Sequence, residues 1–210
     1  MEIGFIGVGS VGGTLAGASV RAGHRVLLGV RDPKDAKVAA LHAALGEHAS
    51  VGTVAQAAAF GEVVVLATPW IGTRDALQKA GDLRGKVLID CTNPLKGDLS
   101  GLELGHTTSG GEQVAKWAPG ARVVKMFNTT GANNLADPHY GGRGITMLYC
   151  GDDASAKNIA AQLATEIGFE PIDAGPLSEA RLLEPLALLW LHLAMFRDQG
   201  REIALTLLRR

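Results

Sequence analysis

Gly7, Gly9 and Gly12 stand in the spacing Gly-x-Gly-x-x-Gly, inside Gly7-Val8-Gly9-Ser10-Val11-Gly12. The first glycine of such a turn permits a tight bend, the second lets main chain approach a pyrophosphate, and the third lets a helix pack closely on a strand. Main-chain amides at the helix start, aided by the helix dipole, then attract the diphosphate. The pattern carries weight only between a strand and a helix. Residues 2–6 read as an apolar strand before it, 11–22 as a small-residue helix after it, and 25–30 as a second strand. All six residues of the turn are therefore expected to hold a dinucleotide.

The end of the second strand selects the coenzyme. Leu28-Gly29-Val30 runs into Arg31-Asp32-Pro33-Lys34. NAD-selective sites carry a carboxylate roughly 20 residues past the glycine turn, on the ribose 2′-hydroxyl. Asp32 stands at about that distance, but Asp followed by Pro also starts a helix, here over 34–45. Arg31, Lys34 and Lys37 surround it. A guanidinium grips a phosphate through two hydrogen bonds, so the cluster suits a 2′-phosphate and favours NADP over NAD. A solvated, charged helix start is the other use of the same residues.

Three more segments put polar residues where an apolar run stops. Open α/β sheets bind ligands beyond the carboxyl ends of their strands. Residues 62–67 lead to Thr68-Pro69-Trp70, residues 86–90 to Cys91-Thr92-Asn93-Pro94, and residues 121–127 to Asn128-Thr129-Thr130. Ala67, Thr68, Pro69, Asn93 and Asn128 are expected beside the coenzyme, with Val30, Arg31 and Lys34. Trp70, Pro94, Thr129 and Thr130 are expected on the substrate side. Packing competes for Trp70, and simple turn chemistry for the threonines.

No catalytic side chain and no metal ligand set stands out. The chain has no Ser-His-Asp arrangement and no histidine pair at metal spacing. Its glycine turn lacks the Gly-Lys-Ser/Thr ending of an ATP-binding loop. A ketone or imine substrate needs a proton donor at the reacting atom. Only Lys125, inside a predicted strand, and Lys96, in a predicted loop, offer one. Ring-to-ring hydride transfer needs neither, because the coenzyme supplies the hydride and the protein supplies position and a dry pocket.

Such residues need a rigid frame. Strands and helices alternating to about residue 127 call for a Rossmann-type α/β fold with a doubly wound parallel sheet. Strands over 145–150 and 170–173, a helix over 154–167 and a helical pattern over 179–210 read as a small C-terminal α/β-helical extension. The division expected is a dinucleotide-binding domain over 1–142 and a part over 143–210 for the substrate pocket and dimerisation. Residues 96–109 and 137–144 read as loops. The 210 residues are 47% hydrophobic and 20% charged, enough for a substantial core. A formal net charge of -1 without a basic run argues against nucleic acid or a membrane surface as partner. The apolar run 185–196 is too short to span a bilayer. Apolar nearly all round, it marks a helix that is buried or shared with a second copy. Cys91 and Cys150 belong to no Cys-x-x-Cys pair and read as buried thiols in a cytoplasmic protein.

Over nearly its full length the chain resembles the F420-dependent NADP oxidoreductases, the NADPH-dependent F420 reductases. Residues 6–12, Gly29-Val30-Arg31, Ala67-Thr68-Pro69-Trp70, Asp90-Cys91-Thr92-Asn93-Pro94-Leu95 and Val124-Lys125-Met126-Phe127-Asn128-Thr129 carry the resemblance. So do Cys150-Gly151-Asp152-Asp153 and Asp173-Ala174-Gly175-Pro176-Leu177 with Arg181-Leu182-Leu183-Glu184. The resemblance implies homodimers built through the C-terminal part and NADP held near Ser10, Val11 and Arg31. It also implies hydride exchange with a deazaflavin, coenzyme F420, beside the strand-end loops. Val30 stands where the family often has serine, which removes one hydroxyl contact to the 2′-phosphate. A flavin, quinone or imine acceptor is the alternative within the same chemistry, and a non-catalytic NADP sensor the alternative outside it.

Overall fold

The computed structural model describes residues 1–210. The chain opens with β1 (Glu2–Ile6), α1 (Ser10–Arg21), β2 (Arg25–Val30), α2 (Ala36–Leu45), β3 (Ala49–Thr53) and α3 (Val54–Phe60). It continues with β4 (Val63–Leu66), α4 (Trp70–Ala80), β5 (Val87–Asp90), α5 (Gly110–Trp117) and β6 (Arg122–Lys125). The remainder holds α6 (Ala132–Ala136), β7 (His139–Tyr140), β8 (Arg143–Gly144), β9 (Thr146–Gly151), α7 (Ala154–Glu166), β10 (Glu170–Asp173) and α8 (Ala180–Phe196).

One eight-stranded sheet runs in the order β10-β9-β6-β5-β4-β1-β2-β3. Its central strands are apolar on both faces, as parallel strands covered by helices must be. Val63 and Val65 of β4 join a core with α1 and α7, whereas Val64 and Leu66 join one with α3, α4, α5 and α8. From β1 the chain winds outward through β2 and β3, then returns to the other side of β1 as β4, β5 and β6. That reversal between β1 and β4 is the switch point where doubly wound sheets take their ligands.

Four departures from the sequence reading have local causes. The second helix begins at Ala36, not at 34, because Asp35 is its N-cap and accepts from Lys37 N at 2.8 Å. Asp32 instead closes a turn, its Oδ1 accepting from Lys34 N at 2.9 Å. The loop expected over 137–144 contains the β7–β8 ribbon, preceded by the short α6. The strand expected over 145–150 is β9, and it runs antiparallel to β6, with Lys125 opposite Cys150. The helical pattern over 179–210 continues only to Phe196. Asp198 and Gly200 take positive φ values of 55° and 69°, which break the helix. The remaining tail folds back: Trp190 Nε1 and Asn134 Nδ2 both donate to the Ile203 carbonyl, at 2.9 and 2.8 Å. No helix is long and apolar enough to cross a membrane.

Candidate functional site

The glycine turn links β1 to α1 at the switch point. Gly7 has φ +90°, a conformation that side chains other than glycine's rarely tolerate. A Cβ on Gly12 would lie 2.0 Å from the Gly7 carbonyl oxygen, so this glycine is demanded by the fold itself. Gly9 differs. Its φ is -69°, and a Cβ there would meet nothing within 4 Å. It caps α1 without a side-chain hydrogen bond, so the first-turn N–H groups of the helix face outward from a surface kept flat. Packing does not require glycine at this position, whereas close approach of a ligand would. Gly9→Ala is therefore expected to leave the melting temperature within about 2 °C and weaken dinucleotide binding at least ~10-fold, a loss of about 1.4 kcal/mol. Gly12→Ala should lower the melting temperature sharply. Thermal unfolding and calorimetry on the pair check this, and equal behaviour of the two would refute it.

Beside the turn opens a cleft of about 750 Å³. Gly7, Val8, Gly9, Val30, Arg31, Ala67, Thr68 and Pro69 line it. Of the expected charged residues, Arg31 lines it and Lys34 does not; Lys37 takes that place, with Asp32 and Asp35 alongside. Arg31 is exposed and makes no salt bridge, which leaves its guanidinium free for an anion. The opposite wall carries no sequence motif. Ile71, Gly72, Asp75, Ala76 and Lys79 of α4 form it, and Lys79 Nζ is tied to Asp75 Oδ2 at 2.7 Å. The available signal was Pro69, which starts α4 directly at the strand end.

Across the switch point, the ends of β4, β5 and β6 converge. Trp70, half-buried, stacks on Trp117 with centroids 5.2 Å apart and donates from Nε1 to Glu103 Oε2 at 3.1 Å. A Cβ on Gly110 would lie 3.2 Å from both Pro94 Cδ and Trp70 Cζ3, so the three residues pack as one wall. Asn93 and Asn128 clasp each other. Asn93 Nδ2 donates to the Asn128 carbonyl at 2.9 Å, and Asn128 Nδ2 donates to Asn93 Oδ1 at 3.0 Å. Asn93 is half-buried and keeps one amide N–H uncommitted. Asn128 is only 4% exposed, and its Oδ1 has no partner. Phe127, buried with φ +60°, turns the chain so that the clasp forms. A bulky residue in that region is strained, a condition that recurs at functional sites. Thr129 and Thr130 line a separate cavity of about 170 Å³, closed by Leu186 and by Leu205 and Leu207 of the tail.

Beneath these loops lies a cluster with no local sequence signature. Lys125 Nζ donates to Asp90 Oδ2 at 2.9 Å, to Glu184 Oε1 at 2.8 Å and to the Thr92 carbonyl at 2.5 Å. Lys125 ends β6 and is fully buried, so it does not reach the cleft as a proton donor. Lys96 belongs to the 95–109 loop, pinned by the Leu95–Leu102 bridge. Burial pushes the Cys150 thiol up to about 12, and burial, helped by the Asp90 charge, pushes Cys91 well up too. Both remain protonated and unreactive at neutral pH.

Known proteins resemble this arrangement. The family model for coenzyme F420-dependent NADP oxidoreductases matches residues 2–94. An F420-dependent NADP reductase of Methanothermobacter marburgensis is 33% identical over 202 residues, 89% of each chain. Metalloreductase STEAP3 of Rattus norvegicus is 35% identical over 188 residues. That stretch is 89% of this chain but 36% of the relative, so the chain spans about a third of that protein's length. A crystal structure from Arthrobacter sp. FB24, provisionally described as an F420-dependent NADP reductase, superposes with a TM-score of 0.90. It is 33% identical, and the match covers 99% of both chains.

Proposed function

Because this chain belongs to the F420-dependent NADP oxidoreductase family, we propose that it transfers a hydride between NADP(H) and the deazaflavin coenzyme F420. The carrying observation is the flat, open cradle at Gly9, where α1 begins beside a cleft of about 750 Å³. Main-chain amides at Ser10, Val11 and Gly12 would hold the diphosphate. Arg31 and Lys37 would take the 2′-phosphate, which makes NADP the preferred coenzyme. Asp32 competes for a bare ribose, but its Oδ1 is already committed to Lys34 N. Bound NADPH supplies the hydride. The protein's own residues orient and dry the site: the free Asn93 N–H suits a carboxamide, and Trp70 with Pro94 would bound the acceptor ring. Ring-to-ring transfer suits a site whose buried lysine and thiols are sealed away.

NADPH added to protein and F420 should bleach the deazaflavin absorbance. Coenzyme binding without bleaching at any pH would reject F420 as the acceptor. The 35% identity to a metalloreductase favours a second acceptor class. A flavin, quinone and imine panel, followed by loss of nicotinamide absorbance, separates the two. Binding with no turnover on any acceptor would leave an NADP sensor. We also read residues 143–210 as the part that pairs two copies. Leu182, Leu189 and Phe196 of α8 are 65%, 48% and 54% exposed and lie at helical spacing on one face. Two unbridged cysteines suit a cytoplasmic setting.

A further inference from the structure

Asp90, Lys125 and Glu184 take no part in the chemistry above, yet they are 0%, 0% and 1% exposed. Two carboxylates face one ammonium. Arg181 of α8 does not redress the count, because it is matched one to one by Glu112 of α5. Neutral donors satisfy the remaining oxygens. Asp90 Oδ1 accepts from Thr92 N and Oγ1 at 2.9 and 2.7 Å. The Glu184 carboxylate accepts from Gly110 N and Gly111 N at 2.9 Å each. The positive end of α5 offsets about half a charge there. Hydrogen bonds of this kind spread the excess negative charge without cancelling it.

The location gives this charge a use. Asp90 ends β5 and Lys125 ends β6, directly before the segments that carry Asn93 and Asn128. Arg31, at the end of β2, stands on the other side of the switch point. A dinucleotide whose adenosine lies by Arg31 and whose diphosphate lies on the glycine turn brings its nicotinamide toward β4, β5 and β6. The oxidised nicotinamide ring is a cation and the reduced ring is neutral. Water and salt screen a buried charge far less than an exposed one. We propose that the excess negative charge of Asp90 and Glu184 over Lys125 favours the oxidised coenzyme, so that bound NADPH is a stronger hydride donor than free NADPH. The inference rests on the NADP(H) reading above and is independent of the acceptor.

Glu184→Gln removes the excess and leaves Asp90 and Lys125 as a matched pair. Calorimetry should show the ratio of dissociation constants, NADP⁺ over NADPH, rising at least threefold over wild type. Asp90→Asn, at the other end of the cluster, carries the same expectation. A framework role alone would weaken both redox states together. An unchanged or falling ratio in the folded variants overturns the inference and leaves the coenzyme reading intact. If circular dichroism finds neither variant folded at 10 °C, the cluster is a folding element and the inference fails. Wild-type protein that binds neither coenzyme overturns the coenzyme reading itself, and this inference with it.

Discussion

Lys125→Met should unfold about 3–5 kcal/mol more easily than the parent protein at neutral pH, because it strips the only cation from a sealed pair of carboxylates. Methionine matches the length of the lysine stem, so the cavity stays filled and the loss is electrostatic. Burial by itself would pull the Lys125 ammonium down, but the carboxylates of Asp90 and Glu184 outweigh it and hold the group above the ordinary lysine value of 10.5. A raised folded value means the stabilisation is complete below about 10.5 and is lost as pH rises through the raised value. Neutral pH therefore reports the whole effect. Urea unfolding followed by circular dichroism measures it. Adding Glu184→Gln to Lys125→Met should restore part of the loss, since one of the stranded carboxylates is gone. A cost under roughly 1 kcal/mol would mean that water or protonation relieves the carboxylates.

Arg31→Ala should weaken NADPH by roughly 10- to 100-fold while NADH changes less than about twofold. The difference is the value of a charge-assisted, two-pronged phosphate contact, about 1.5–3 kcal/mol. Arg31 is exposed and has no protein partner to abandon, so the variant should melt with the parent. The NADPH penalty should shrink at high salt, because Arg31 lies at the surface. Equal losses for both coenzymes would reduce Arg31 to general surface charge. Val30 provides no hydroxyl, so in the proposed site the discrimination would fall on Arg31 and Lys37.

Much of the frame was legible in the chain. Residues 2–6, 25–30 and 170–173 form the elements read from them, residue for residue. The first two are largely apolar runs with a glycine at or near one end, where local chemistry and tertiary packing agree. The 179–210 pattern misled because leucine periodicity persists past Phe196. Asn134, 69 residues away in sequence, and Trp190 of α8 capture the Ile203 carbonyl and hold the tail folded back. Two-residue strands such as β7 and β8 are too short to display a period at all.

The candidate site is legible where its residues are contiguous and opaque where they meet only across the sheet. The glycine turn announces itself within six residues. Asp90 and Lys125 lie 35 residues apart, as do Asn93 and Asn128, and the order of strands alone makes them neighbours. Lys125 looked like a strand residue with a spare amine. Its position as the last residue of β6, under α8, turned that amine inward.

Strand β9 runs against β6, and this gives evolution somewhere to work. A parallel continuation would have needed a crossover helix and would have begun at the far rim. The reversal instead lets the polypeptide turn back at the mouth of the crevice. Residues inserted between β6 and β9 would extend that mouth while the buried layers stay as they are, so descendants can change clientele without rebuilding the house.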